Sequence, residues 1–448
     1  MELAFEAAAL TAIDPKESLE QVLAGYDGQP SKPLGQTANP FNLDKSLELL
    51  LDPVTGSAAH GRKVEGVVTI HVDDALMAGT EYFKKHVIAG LRKDFQVGSE
   101  DTNDCEFVGQ RVRWYNKGKP GAYIRVDQEK KIEELSEIAF DRSTDGEVAC
   151  TPDLHRQFRS VLGQINWLQS RTQYQACYQF SRCASASAAP RIKDVRDINK
   201  LVRTIRARVV DIRFWPLKGK VRLVGYPDAA FRNNEDKTSQ RGQVIFLASE
   251  RIKGTVSSRG SLIDYESQKI KRTVLSTTVS ELYAFMKCFG TCQFLRGLWM
   301  DISGQAAEVH MRTDANNLVT TATTTHLPEQ KETIHMINQL RTEASSGAID
   351  DLAHVVTGDM LGDCLTKNSV QPENLIKAIE SGVLPNVDRH PPFRELMRTR
   401  HKAFACTMEL VEWCYLNLGS MTFATHFMLE PVADMVSYII SHCNWMDY

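Results

Sequence analysis

At residue 220 the hydrophobic rhythm of the chain changes in a way that few folds can satisfy. Three strand-like runs, "KVRLVGYPDAAF", "GQVIFLAS" and "IKGTVSS", follow one another closely, and a long helical pattern, "STTVSELYAFMKCFGTCQFLRGLWMDI", comes next. Strand and helix then alternate through "EVHMRTDAN", a helix near 329 to 346, "IDDLAHVV" and a helix "MLGDCLTKN". Strands joined by short turns pair antiparallel, whereas strands reached through a helix pair parallel, so this order predicts a mixed sheet in an α/β layer fold. Within it stand Asp228 late in the first strand, Glu281 on the long helix, Asp314 ending the fourth strand and Asp363 in the last helix. Strand ends and adjacent helices converge on one edge of an open sheet. Carboxylates gathered there repel unless divalent cations neutralise them, and hard oxygen ligands suit Mg2+ or Mn2+. Two such ions ~4 Å apart hold both the attacking water and the leaving oxygen of a phosphodiester. With 56 Asp and Glu in the chain, many carboxylates at strand ends are plain caps or solvated side chains. Spacing alone leaves both readings open.

Upstream the pattern is different. Residues 64 to 126 read as strands around one helix: "VEGVVTIHV", "ALMAG", the helix "TEYFKKHVIAGLRKDF", then "CEFVGQRVRWY" and "GAYIRVDQ". Between the first two strands lie Asp73 and Asp74, which read either as a hairpin turn, because Asp tolerates turn geometry, or as a metal site. Residues 128 to 210 are mostly helical, from "QEKKIEELSEI" to "IKDVRDINKLVRTIRARVV". The stretch 191 to 222 holds eleven Lys or Arg against three Asp, an excess of +8 hidden in a total of 53 basic and 56 acidic residues. Such a run is a solvated helix face or a surface that tracks phosphates.

At 448 residues the chain has room for two to four domains. Ten scattered cysteines form no regular framework, which fits a reduced, intracellular setting, cytoplasm or nucleus. "CFGTC" has no second Cys or His pair at zinc spacing and sits inside a helical pattern, so buried thiols are expected there. The amino terminus lacks the pattern of a signal peptide, and no stretch reaches the ~18 apolar residues of a membrane helix. No membrane partner is expected.

The blocks "GYPDAAF", "KTSQRGQVIFL", "LSTTVSELYA", "MRTDANN" and "MLGDCLTKN", in this order, resemble the ribonuclease H domain of copia-type retrotransposon Pol polyproteins. "TIHVDDALMAG", "LRKDFQVG", "EFVGQRVRW" and "FRSVLGQINWLQSRT" resemble the end of the same family's reverse transcriptase. The resemblance implies an α+β and α/β chain. An irregular lead-in with a short helical pattern (1–55) precedes a partial palm (56–127) and a helical thumb or connection (128–215). A ribonuclease H-like mixed-sheet domain (216–368) and a tail without an assigned role (369–448) follow. It implies that Asp228 bridges two metal ions, that Glu281 stands beside them, that Asp314 completes the first ion's shell and helps position the water, and that Asp363 holds the second. Asp359, one turn earlier, is expected to be a plain exposed residue. Pro227 stands where the family usually has Ser, and Gly362 turns the family's "LAD" into "LGD".

By the same resemblance Asp73 and Asp74 correspond to the paired palm aspartates, with His71 where the family has an aromatic residue. The third palm aspartate and the fingers would lie upstream, and none of Asp14, Asp27, Asp44 or Asp52 sits in the family's motif. Asp73 and Asp74 are therefore expected to be a relic polymerase site, with RNA-directed DNA polymerase activity not expected of this chain alone. The expected activity is two-metal hydrolysis of the RNA strand of RNA/DNA hybrids, with Arg203, Arg206, Lys218 and Lys220 as phosphate contacts and other Pol or Gag products as further partners. The competing readings are an inactive or domesticated remnant that binds nucleic acid, and a polymerase subunit completed by another chain.

Overall fold

The structure is a computed structural model and describes residues 6–12, 47–48, 65–72, 74–94, 97–251, 257–323 and 333–385. Its strands form three sheets. The first, in the order β2-β3-β4-β1-β5, is antiparallel throughout and contains β1 (Glu6–Ala12), β2 (Leu47–Glu48), β3 (Gly66–His71), β4 (Asp74–Gly79) and β5 (Val97–Thr102). The two strands read on either side of the paired aspartates are present as the hairpin β3–β4, with His71 opposite Asp74. Alternate residues Val68, Ile70, Ala75 and Met77 turn inward onto Phe83, Ile88 and Leu91 of the following helical segment. The lead-in departs from expectation, because its Ala-rich run is strand β1, laid between β4 and β5. Sheet partners on both sides override a weak local preference for helix.

The second sheet, β6-β7-β8-β9, contains β6 (Asp104–Phe107), β7 (Gln110–Tyr115), β8 (Tyr123–Asp127) and β9 (Ile212–Phe214). "CEFVGQRVRWY", read as one strand, is a hairpin that reverses at Val108 and Gly109, both at positive φ. Between β8 and β9 run α1 (Pro152–Gln169), α2 (Cys177–Ser185) and α3 (Ile192–Ala207). Phe158, Val161, Ile165 and Leu168 of α1 meet Val195, Ile198, Leu201, Val202 and Ile205 of α3 in one core, the helical spacing seen in the sequence. "QEKKIEELSEI" is helical only over Glu129–Glu133.

The third sheet is mixed, in the order β14-β13-β10-β11-β12-β15. β10 (Arg222–Ala230), β11 (Ser239–Arg251) and β12 (Ser258–Ile270) are antiparallel, and β13 (Glu308–Thr313) and β14 (Asp351–His354) join parallel to β10. α4 (Thr277–Ser303) connects the two halves, and α5 (Asn316–Thr323) and α6 (Ile334–Ser346) lie between β13 and β14. This is the ribonuclease H-like mixed-sheet layout expected of the region. Successive residues of β10 face opposite cores. Leu223 joins Leu282, Phe285, Cys288 and Cys292 of α4, whereas Val224 and Tyr226 join the other face. Gly225 lets α4 lie close to the sheet, since a β-carbon there would come within 2.8 Å of Cys288 Sγ.

Three local expectations are corrected. The third strand is "SRGSLIDYESQKI", not "IKGTVSS", of which residues 252–256 lie outside the described residues. "MLGDCLTKN" is not a regular helix; Thr357–Asp359 and Asp363–Leu365 are separate 3-10 turns, so Asp359 and Asp363 share no helix face. The sheet also continues past 368, since β15 (Val383–Leu384) pairs with β12, and α7 (Glu373–Ser381) buries Leu375, Ile376 and Ile379 in the core that holds Tyr226.

Candidate metal and nucleic-acid site

β10 and β13 run parallel, so their carboxyl ends lie at the same edge. Pairing with β13 covers Arg222 to Gly225 only. Pro227 therefore falls where β10 has already parted from β13, which explains how a residue without an amide proton is tolerated in an interior strand. One residue later Asp228 is fully buried, and Asp314 directly follows the last residue of β13. Asp363 arrives from the turn that lies across β10 and β11. Gly242 and Gly362 make that approach possible, because added β-carbons would lie 2.9 Å from Leu365 Cβ and 2.5 Å from the Tyr226 carbonyl oxygen. Asp228, Asp314 and Asp363 each bring a carboxylate oxygen within 4.8 Å of the others.

Glu281 projects from the second turn of α4, whose start is fixed by Ser276 accepting the Val279 amide. Its carboxylate stands outside that group of three but is close enough to feel it. Burial first, then the charges of Asp228 and Asp314, push Glu281 well above the usual carboxylate range. Burial likewise pushes Asp228 up, with Asp363 and Asp314 adding to it and Lys367 and Thr366 opposing it. Asp314 is raised by burial and by Asp363. The cluster is short of positive charge.

Two residues that the sequence reading passed over complete it. The Thr366 hydroxyl donates to Asp228 Oδ2. The Lys367 ammonium lies 2.7 Å from Asp363 Oδ1 and 3.5 Å from Asp228 Oδ2. Burial disfavours the Lys367 charge, but Asp228 and Asp363 outweigh it and hold the ammonium above the ordinary lysine range. The signal was available, since Lys367 follows Asp363 by four residues in the same short block. By contrast, Oδ1 of Asp228 is buried without a hydrogen-bond partner. A buried polar oxygen left unsatisfied is costly, and the three carboxylates of Asp228, Asp314 and Asp363 together match the donor set of a hard divalent cation. The residues present fit such an ion.

The remaining site residues lie elsewhere. Asp73 is outside the described residues, and Asp74 is half-buried in β4 of the first sheet, opposite His71 and Thr11. Asp359 is half-buried and not part of the carboxylate group. Arg203 and Arg206 occupy the exposed face of α3, where Arg203 pairs with Glu137. Lys218 and Lys220 are exposed on the connection from β9 to β10. A cleft of about 620 Å3 between α2, α3 and the third sheet reaches Asn368, next to Lys367, and there Lys193 and Lys200 flank Asp194 and Asp197. That face of α3 is charge-balanced rather than uniformly basic. Among the described residues no helix is long and apolar enough to cross a membrane.

Comparison with known protein families and with curated proteins finds no match. Among solved structures, LC11-RNase H1 in complex with an RNA/DNA hybrid is 16% identical, with a TM-score of 0.25, covering 34% of this chain and 99% of its own. The N-terminal ribonuclease H domain of a Mycobacterium tuberculosis protein, in a fusion with maltose-binding protein, is also 16% identical, with a TM-score of 0.25, covering 36% of this chain and 99% of its own. The foamy viral protease-reverse transcriptase in complex with an RNA/DNA hybrid is 13% identical, with a TM-score of 0.39, and the match covers 82% of this chain and 45% of that one.

Proposed function

We propose that the chain is a ribonuclease H of a copia-type retroelement Pol protein, hydrolysing the RNA strand of RNA/DNA hybrids inside the cell with Mg2+ or Mn2+. The observation that carries the reading is the convergence of Asp228, Asp314 and Asp363 within 4.8 Å of one another, with Oδ1 of the fully buried Asp228 left without a hydrogen-bond partner. In this reading Asp228, Asp314 and Asp363 would hold the cations, two in number, with Glu281 beside them. Bound there, the ions supply Lewis-acid stabilisation of the charge that develops as a phosphodiester is cleaved. The chain's own contribution is positioning. Thr366 fixes the rotamer of Asp228, and the glycine-lined turn sets Asp363 against it. Asp314 would orient the attacking water. The hybrid would be held through backbone phosphates and the 2′-hydroxyl, with Arg203, Arg206, Lys218 and Lys220 as phosphate contacts and little sequence specificity. The hairpin that carries Asp74 supports reading residues 56–127 as a palm remnant.

The test is a panel of labelled RNA/DNA hybrid, RNA duplex and DNA duplex incubated with the purified chain and Mg2+ or Mn2+. Cleavage confined to the RNA of the hybrid supports the reading. Equal cleavage of all three substrates contradicts it.

A further inference from the structure

The carboxylate cluster already contains a cation. Lys367 Nζ contacts Asp363 Oδ1 at 2.7 Å and approaches Asp228 Oδ2 at 3.5 Å, and these two side chains are almost fully buried. The lysine side chain itself is 33% exposed, so the ammonium has a route outward as well as inward. Its position is set by a pinned segment, because Thr366 is tied to Asp228 and the turn before it rests on Gly242. A dication held by Asp228 and Asp363 draws on the same two carboxylates. Two positive charges a few ångströms apart in a poorly solvated site repel strongly, so the ammonium and the ion cannot both sit there at full contact.

Taking the cluster as the metal site proposed above, we propose that Lys367 is a built-in competitor of the metal. It neutralises Asp228 and Asp363 when the ion is absent and swings out when the ion enters. It thereby sets the metal concentration at which the site loads. Lys367 is a positioning residue for the metal-free state, and its removal makes loading easier while making the empty cluster less stable.

The test is calorimetric titration of the full chain with Mn2+, without nucleic acid, for the wild type, Lys367→Met, Lys367→Gln, Lys367→Arg and Asp228→Asn. The expected result is that Lys367→Met and Lys367→Gln load Mn2+ at concentrations at least about tenfold lower than wild type, as removal of an adjacent like charge requires. Lys367→Arg stays near wild type, and Asp228→Asn loses the binding heat. Metal-free Lys367→Met and Lys367→Gln should also melt at lower temperature, which added Mn2+ reverses. If both neutral variants fold, by circular dichroism, and bind Mn2+ no more tightly than wild type, the competitor role is overturned while the metal site stands. If no folded variant binds Mn2+ at millimolar concentration, the metal-site reading falls and the proposal with it. Lys367→Gln keeps a donor for Asp363, so it remains informative if Lys367→Met does not fold.

Discussion

Gly362 lies so close to the backbone of Tyr226 that a β-carbon at this position would sit 2.5 Å from the Tyr226 carbonyl oxygen. That contact seats Asp363 beside Asp228, and backbone cannot yield as a side-chain end can. Gly362→Ala is therefore expected to destabilise the protein by about 1 to 3 kcal/mol, the usual cost of overpacking. A lower urea midpoint at unchanged slope, together with reduced hybrid cleavage, would bear this out. An alanine variant as stable and active as wild type would show that the turn sits differently.

The raised carboxyls make a pH prediction with a definite sign. Asp228, Glu281 and Asp314 all lie above their ordinary values of 3.8, 4.5 and 3.8. Over the window above those values the unfolded chain has released protons that the folded chain keeps, so stability falls as pH rises. Without metal, wild type is expected to lose more stability than Glu281→Gln between about pH 5 and pH 8. Thermal melts of the two proteins across that range, in chelator, give the difference. A Glu281→Gln curve parallel to wild type would remove the coupling.

Leu384 of β15 is fully buried among residues that include Tyr226 and Val244. Residues 373–384 are therefore part of the core, and Leu384→Ala should cost about 2 to 5 kcal/mol. Chemical denaturation measures it. A loss below about 0.5 kcal/mol, as for an exposed site, would mean that β15 is not docked in solution.

Exposed basic residues predict salt behaviour. If Arg206, Lys218 and Lys220 contact phosphates, each alanine substitution should lower hybrid affinity and reduce the slope of log K against log salt by about 1. Arg203, which pairs with Glu137, belongs to the same set, and its substitution should change the slope in the same direction. Unchanged slopes in all four variants would move the nucleic-acid surface elsewhere.

Strand–helix alternation placed Asp228 and Asp314 at one sheet edge but left a metal cluster and plain caps both open. The family resemblance singled out the four carboxylates, and the structure brings Asp228, Asp314 and Asp363 together, with Glu281 outside that group. β12 was missed because Asp264, Glu266 and Gln268 make it look like a polar loop. In the structure these side chains accept hydrogen bonds from Gln243 Nε2 and the Arg241 guanidinium across the strand pair, a pairing that a one-dimensional pattern does not display. The four-residue spacing of Asp359, Asp363 and Lys367 mimics a helix. Docking of Gly362 and Leu365 onto β10 and β11 breaks that segment into short turns instead. β1 was hidden for the opposite reason, since alanines carry little strand signal and its neighbours alone make it a strand. Lys367 was overlooked because the motif was read for its acids only.

The most direct measurement is hydrolysis of a labelled RNA/DNA hybrid by the intact chain with Mg2+ or Mn2+, beside Asp228→Asn. The account predicts cleavage by the wild type that requires the added cation and falls by about a hundredfold or more in the variant, the scale of losing a principal electrostatic group. A folded wild type that leaves the hybrid intact, or an Asp228→Asn protein that cleaves as well, would contradict it.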